Sequence, residues 1–205
     1  MTNLRAIAGT ISRVSLVGLL VVAGGVAGAP GAASAAATAG GLISPSVTFT
    51  IATSNGTKIT GKGTELKLEN QGGWLIFKVP LSAVTTDHGQ RDRQMRDRYL
   101  ESDTHPVVEL RIARDALKVP KGGGASEGTA TAKLNLHGKS RDVNVRYLLE
   151  RKGESLQVSG SFEIDLRVHG IDTPSYRGVT VNPKVAVQVS FGTIDREVFA
   201  EANAL

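Results

Sequence analysis

Cysteine is absent from this sequence, and aromatic residues make up only 4% of it. The lack of cysteine excludes disulfide bonds, thiol catalysis, thiolate metal sites and an N-terminal lipid anchor on a cysteine. Charge is also modest. The 205 residues carry 24 basic and 19 acidic side chains, and losing residues 1–35 would remove two arginines and no acid, which lowers the formal charge from +5 to +3. A nucleic-acid partner is therefore not predicted.

Metal-binding motifs and most catalytic motifs are equally missing. The four histidines are His88, His105, His137 and His169, and none stands in an HxH or HExxH spacing. The sequence also contains no SxxK motif, and no paired carboxylates stand out for acid–base work. We therefore expect turn and surface histidines, no metal, no cofactor and no enzyme. An exported hydrolase would need a nucleophile with an oriented base, which no spacing indicates.

The N-terminal segment has the three parts of a secretory signal peptide in the right order. Arg5 and Arg13 form a positive region, residues 14–26 are an apolar run, and Ala33-Ser34-Ala35 is a cleavage site. A transmembrane anchor is a weaker interpretation, because the run is shorter than the roughly 18–20 residues of a span and is rich in glycine. The sequence predicts a signal peptide over residues 1–35, a flexible leader over 36–45, and a periplasmic or secreted product.

From residue 46 onward, apolar and polar residues alternate with a period of two, which is typical of strands with one buried face. The clearest run is residues 156–168, and similar runs begin near residues 47, 58, 74, 108, 130, 143 and 185. Turn signals such as Asn55-Gly56, Gly72-Gly73, Gly138 and Gly153 separate most of them. The pattern predicts an all-β, antiparallel barrel of about eight strands over residues 46–196, followed by a tail over 197–205. Closure leaves no exposed edge.

Residues 87–100 lack this alternation and predict one short helix. Asp92 can pair with Arg96, and Arg93 with Asp97, at helical spacing, while Met95, Tyr99 and Leu100 give a narrow apolar side. The arginine-rich run allows two interpretations. Its guanidinium groups could bind an anionic head group at the barrel mouth, or they could pair with neighbouring acids on a solvated helix.

The barrel interior leaves two alternatives open, since a barrel of eight strands is either filled by side chains or holds one small ligand. Few aromatic rings and several small inward positions favour unfilled apolar space, in which each buried methylene stabilises a ligand by about 0.8 kcal/mol. These small positions are Gly61, Gly63, Ala130, Ala132 and Gly160.

Three stretches resemble the YceI-like family in order and spacing. They are residues 86–95 with His105-Pro106, residues 130–145, and residues 160–171. His105 stands where the family usually has a tyrosine, and His169 where it often has an aromatic residue. The resemblance implies an exported, lipocalin-like barrel that binds a polyisoprenoid or similar amphiphile, without a metal or catalytic residues.

The resulting functional hypothesis is a non-enzymatic carrier of an apolar lipid, with transient membrane contact for lipid exchange and either a monomeric or a homodimeric state. The alternative is a filled barrel that serves as a stress-related structural or interaction module. The apolar residues predicted to line the tunnel are Phe49, Ile51, Leu110, Leu134, Leu136, Phe162, Ile164, Leu166, Val187 and Val189. The candidates for head-group contact at the mouth are Arg91, Arg98 and His105.

Overall fold

The computed structural model describes residues 45–176 and 178–194. The predicted signal peptide, nearly all of the leader and the C-terminal tail lie outside the described residues. Within those residues, no helix is long and apolar enough to cross a membrane.

Strands dominate the described residues, and eight of the eleven contain at least six residues. The strands are β1 (Ser46–Thr53), β2 (Lys58–Gly63), β3 (Lys67–Gln71), β4 (Trp74–Pro80), β5 (Val84–Thr85), β6 (Val107–Ala113), β7 (Gly124–Leu136), β8 (Lys139–Lys152), β9 (Ser155–Asp165), β10 (Ser175–Tyr176) and β11 (Val179–Ile194). One α-helix, α1 (Gly89–Gln94), continues into a π-helical turn over Met95–Tyr99. Short 3₁₀ turns lie at Leu81–Ala83, Arg114–Ala116 and Leu166–His169.

All strand pairs are antiparallel, and the sheet follows the order β3-β4-β6-β7-β8-β9-β11-β1-β2-β5, with β10 paired to β11. The sheet curls into a half-barrel of the lipocalin-like type, which confirms the predicted fold class and the eight principal strands. The hydrogen-bonded path starts at β3 and ends at β5. Two-residue turns account for the pairs β3-β4, β7-β8 and β8-β9, because a short connection between consecutive strands favours antiparallel neighbours.

The pattern predicts one strand from about residue 58 to Leu68, and this prediction is wrong. The chain leaves the sheet after Gly63 and re-enters it at Lys67. The two pieces belong to opposite ends of the sheet. β2 pairs with β1 and β5, whereas β3 pairs with β4. Alternation alone cannot reveal such a break, because both pieces keep a period of two.

The strand predicted over residues 156–168 ends early, at Asp165. The Asp165 carboxylate accepts the backbone N–H of Arg167 at 3.0 Å and pairs with its guanidinium at 2.6 Å, which starts the 3₁₀ turn at Leu166. Gly170 closes this turn with a φ of 73°, a conformation that glycine adopts without strain. As a result Val168 is 47% exposed and does not join the inward face.

The helix predicted over residues 87–100 is present. His88 caps α1, since its Nδ1 accepts the backbone N–H of Arg91 at 3.4 Å, and the π-helical turn closes with Leu100 N–H on the carbonyl of Met95 at 2.9 Å. Asp92 points away from solvent, and its hydrogen-bond partners are on β5 and the residue after it. The predicted Asp92–Arg96 pair is therefore replaced by contacts to the sheet, although Arg96 still acts on Asp92 through its charge.

Candidate functional site

An apolar cavity of about 340 Å³ occupies one half of the barrel interior. This volume lies within the range of ligand pockets and is about twice that of an engineered apolar cavity able to bind benzene. Every lining side chain is apolar except five, which are Thr86, Arg91, Gln94, Tyr99 and Asp172. The cavity contradicts the filled-barrel alternative, which predicts no internal space larger than a few water molecules.

All ten predicted tunnel residues line this cavity. They come from β1, β6, β7, β9, β11 and the turn after β9, and they are Phe49, Ile51, Leu110, Leu134, Leu136, Phe162, Ile164, Leu166, Val187 and Val189. Cross-strand register explains why they share a face, since Leu110 lies opposite Leu134 and Val187 lies opposite both Phe49 and Phe162. That these side chains contact a lipid stays a prediction.

The helical segment and a loop contribute lining residues that the strand pattern does not identify. Met95, Tyr99 and Leu100 cover the cavity from the π-helical turn, and Ile171 and Pro174 approach from the loop after β9. The narrow apolar side noted for Met95, Tyr99 and Leu100 is the signal for the first group. The loop carries no periodic pattern that could have placed it here.

The small residues expected to leave space do not border the cavity. Gly61, Gly63, Ala130, Ala132 and Gly160 are absent from its lining. At two positions, Gly61 and Gly128, the missing side chain instead makes room for an aromatic ring from the paired strand. A Cβ atom on Gly61 would lie 2.2 Å from Cζ of Phe49, and one on Gly128 would lie 2.6 Å from the hydroxyl oxygen of Tyr147. Both pairs are direct cross-strand neighbours, so each ring covers bare backbone.

The other half of the interior is packed. Leu149 and Leu156 are both 0% exposed, and Leu75, Ala130 and Ala132 belong to the same buried cluster. The rings of Phe77 and Phe191 meet at a centroid distance of 5.5 Å between the two halves. Phe77 lines the cavity and Phe191 does not, so this pair is the floor of the cavity.

Polar contacts hold the helical segment over the half of the barrel that contains the cavity, here called the hollow half. The Asp92 carboxylate is 4% exposed and accepts the hydroxyl of Thr85 at 2.6 Å and the backbone N–H of Thr86 at 2.8 Å. Burial alone would raise the pKa of Asp92, but the hydrogen bonds from Thr85 and Thr86, helped by the charge of Arg96, lower it to about 2. Asp92 is thus a charged anchor for the segment.

The three predicted mouth residues have different surroundings. Arg91 lines the cavity, but its Nε donates to the Thr86 hydroxyl at 2.7 Å and its Nη2 to the Thr86 carbonyl at 2.9 Å. The guanidinium of Arg98 lies 5.7 Å from the ring centre of Tyr99, outside the lining. His105 also lies outside it, with its ring against Gly138 and His137. Only Arg91 reaches the cavity, and head-group contact by any of them stays a prediction.

Comparison with known proteins agrees with this architecture. The YceI-like domain family matches residues 35–192. A polyisoprenoid-binding domain from Saccharophagus degradans, implicated in plant cell wall breakdown, has the same fold with a TM-score of 0.59 and 17% identity, covering 72% of this chain and 92% of that domain. BcnA from Burkholderia cenocepacia gives 0.59 and 14%, covering 73% and 96%. No curated protein sequence gives a significant match.

Proposed function

The chain belongs to the YceI-like family, and we propose that it is an exported binding protein that holds a long apolar lipid, a polyisoprenoid or fatty amphiphile, in the barrel. The observation that carries this proposal is the 340 Å³ cavity with its almost wholly apolar lining. The similarity in fold to a polyisoprenoid-binding domain supports the same class of ligand.

Burial of apolar surface drives binding, and the free energy that it supplies per methylene favours a long ligand. Each buried methylene contributes about 0.8 kcal/mol, so ten of them give about 8 kcal/mol. Association costs about 4–15 kcal/mol in lost freedom of motion. A short chain therefore binds weakly, whereas a polyisoprenoid or fatty chain that fills the cavity gains enough to be held.

The proposed activity is binding rather than catalysis. Among the described residues that line the cavity there is no histidine, and the two charged groups there are Arg91 and Asp172. Arg91 is the candidate for a head-group contact because, of the described residues, it alone offers a guanidinium to the cavity. Its two hydrogen bonds to Thr86 keep that group in place.

Mass spectrometry of the intact, untagged protein tests the proposal. The protein is first stripped by organic extraction and then offered geranylgeraniol or palmitate. We expect one molecule bound per chain. Val187→Trp, which places an indole in the cavity, should reduce uptake at least tenfold. Gln188→Trp, on the exposed outer face of the same strand, should bind as the wild type does. Failure of the wild type to take up either probe would overturn the proposal.

Export is a separate part of the proposal and rests on the arrangement of Arg5, Arg13, the apolar run and Ala33-Ser34-Ala35. Its test is N-terminal sequencing of the protein recovered from the periplasm and medium of a bacterium that expresses the full chain. We expect the recovered chain to begin at Ala36. Recovery of the uncleaved chain in the cytoplasm alone would contradict export.

A further inference from the structure

Outside the cavity, three potential metal ligands meet beside the hollow half: Glu101, His105 and His137. One ligand atom from each residue lies within 4.8 Å of the other two. Nε2 of His137 is 3.3 Å from Oε2 of Glu101, and the two imidazole rings meet edge to face at a centroid distance of 4.7 Å. Two imidazole nitrogens and a carboxylate oxygen form a ligand set typical of zinc and related ions.

The local backbone brings Glu101 and His105 to the same side of a tight loop. The carbonyl of Glu101 accepts the backbone N–H of Thr104 at 2.9 Å and that of His105 at 2.8 Å. Glu101 itself has a φ of 46°, in the left-handed region. The loop therefore fixes the spacing of these two residues before any ion is considered.

His137 comes from a different part of the sheet, the two-residue turn between β7 and β8, where its φ is 53°. Its Nδ1 lies 3.3 Å from the backbone carbonyl of His169. A carbonyl can only accept, so Nδ1 carries the proton and donates. In the neutral ring Nε2 then has a free lone pair, and it faces the cluster.

That nitrogen is in an unusual position. Nε2 of His137 is buried and has no hydrogen-bond partner among the residues that the structure describes, because its approach to Glu101 has the distance of an ion pair without the geometry of a hydrogen bond. A lone pair and a carboxylate oxygen at 3.3 Å repel each other unless a proton or a metal ion lies between them. Buried polar atoms without a partner are rare, and this one points at a carboxylate.

Surrounding residues hold the ligands in the way that outer residues support known metal sites. His169 is 1% exposed, and its Nδ1 lies 3.2 Å from the Leu136 carbonyl and 3.0 Å from the Lys139 carbonyl. It thereby fixes the strand ends on both sides of the turn that carries His137. Gly138 leaves room for the ring of His105, since a Cβ at position 138 would lie 2.8 Å from Cε1 of that ring.

We propose that Glu101, His105 and His137 bind a divalent transition-metal ion of the zinc class, with a fourth position open to solvent. Zinc bonds of about 2.0–2.1 Å separate tetrahedral ligands by about 3.3–3.4 Å. The Glu101 side chain is about half exposed and can move into that geometry. The nitrogen ligands disfavour calcium and magnesium, which prefer oxygen.

The ion would connect two elements that the chain leaves separate. Tyr99 and Leu100, immediately before Glu101, line the cavity, while His137 is at the tip of the β7–β8 hairpin. Metal binding therefore ties the end of the helical cover to the sheet. This inference does not depend on the lipid proposal, and it is tested on lipid-free protein.

Calorimetric titration of the untagged mature chain with Zn²⁺, after EDTA treatment, measures the site. Titration with Co²⁺ adds the visible absorption bands of a tetrahedral ion. We expect one ion per chain and a higher thermal midpoint with Zn²⁺. His105→Ala and His137→Ala should each weaken binding at least tenfold. His88→Ala removes a histidine that caps α1 and should bind Zn²⁺ as the wild type does.

Glu101→Gln and His105→Gln keep the test decisive if an alanine variant does not fold, because both preserve side-chain volume. Each should weaken Zn²⁺ binding at least tenfold with little change in the metal-free thermal midpoint. Stoichiometry well below one ion in the wild type would overturn the proposal, as would equal affinity in the cluster variants and the wild type. A metal-independent ion pair between protonated His137 and Glu101 would then explain the cluster.

Discussion

Along the same strands, one half of the barrel is packed with side chains around Leu149 and Leu156, whereas the other half surrounds a cavity bordered by Phe162 and Ile164. The contrast does not follow residue size. Ala130 and Ala132 lie in the packed half, and phenylalanine, leucine and isoleucine border the open one. Small side chains let neighbouring residues approach closely, so they help to fill space as often as they leave it.

The two halves also differ in what holds them together. The packed half relies on apolar contact, while the cover of the hollow half is fixed by the polar ties of Asp92 and Arg91 to Thr85 and Thr86. A cover attached in this way can be specific in position without filling the space beneath it. This division predicts that equal substitutions have unequal effects in the two halves.

The largest difference is expected for leucine truncation. Leu149→Ala in the packed half should lower the free energy of unfolding by about 4 kcal/mol, within the range of buried leucines that leave a cavity. Leu110→Ala should cost about 2 kcal/mol, because that side chain already borders empty space and loses fewer contacts. Urea unfolding at pH 7 measures both. Equal losses would show that the two halves are packed alike.

A smaller effect is expected at the polar anchor of the cover. Asp92→Asn should lower the free energy of unfolding by about 2–3 kcal/mol at pH 7, because it removes the charge from a buried carboxylate held by three hydrogen bonds. The exposed Asp97→Asn in the same segment is the matched control and should change stability by less than about 0.5 kcal/mol.

The same variant has a predicted pH dependence. The folded-state pKa of Asp92, about 2, is below its ordinary value of 3.8, so its contribution to stability is complete above about pH 5 and is lost as the pH falls towards 2. The wild type should therefore lose more stability than Asp92→Asn between pH 5 and 2. Asp165, whose pKa is also lowered to about 2, is present in both proteins and cancels in the comparison. Parallel pH profiles would contradict the assignment.

The smallest effect concerns added volume. Ala132→Val puts two methyl groups into the packed half and should cost about 1–2 kcal/mol through overpacking. Val187→Leu adds one methylene beside the cavity, and the change in unfolding free energy should stay within about 0.5 kcal/mol. Thermal unfolding of both variants ranks them. Greater destabilisation by Val187→Leu than by Ala132→Val would contradict the conclusion that the half around Leu149 and Leu156 is the more tightly packed.

Alternation of apolar residues was sufficient to predict the antiparallel barrel and the inward position of ten side chains that line the cavity, because the inward face of a strand is set by a period of two. It could not predict the break between Gly63 and Lys67, where both pieces keep the pattern. Nor could it show which half is hollow, since that depends on how side chains from different strands meet. The expectation from Gly61, Ala130 and Ala132 pointed to positions that do not border the cavity.

The histidine cluster was beyond sequence reasoning for a related reason. His105 and His137 are 32 residues apart and fit no local metal motif. Their meeting depends on a loop held by the Glu101 carbonyl and on a hairpin turn with a left-handed His137. Neither conformation has a sequence signal as strong as that of an Asn-Gly turn.

The ring pair of Phe77 and Phe191 has one further consequence, because a cavity that is closed at one end limits the length of chain that it can hold. The lining on β11 runs from Val181 to Val189. Eight residue steps at about 3.3 Å span roughly 26 Å, or about 20 Å of depth once strand tilt is included. For the proposed lipid, we expect a hydrocarbon tail that enters end-on to stop at the rings, and any part longer than this depth to fold back or stay outside. If the proposed lipid binding is correct, we therefore expect the barrel to select ligands by chain length as well as by polarity.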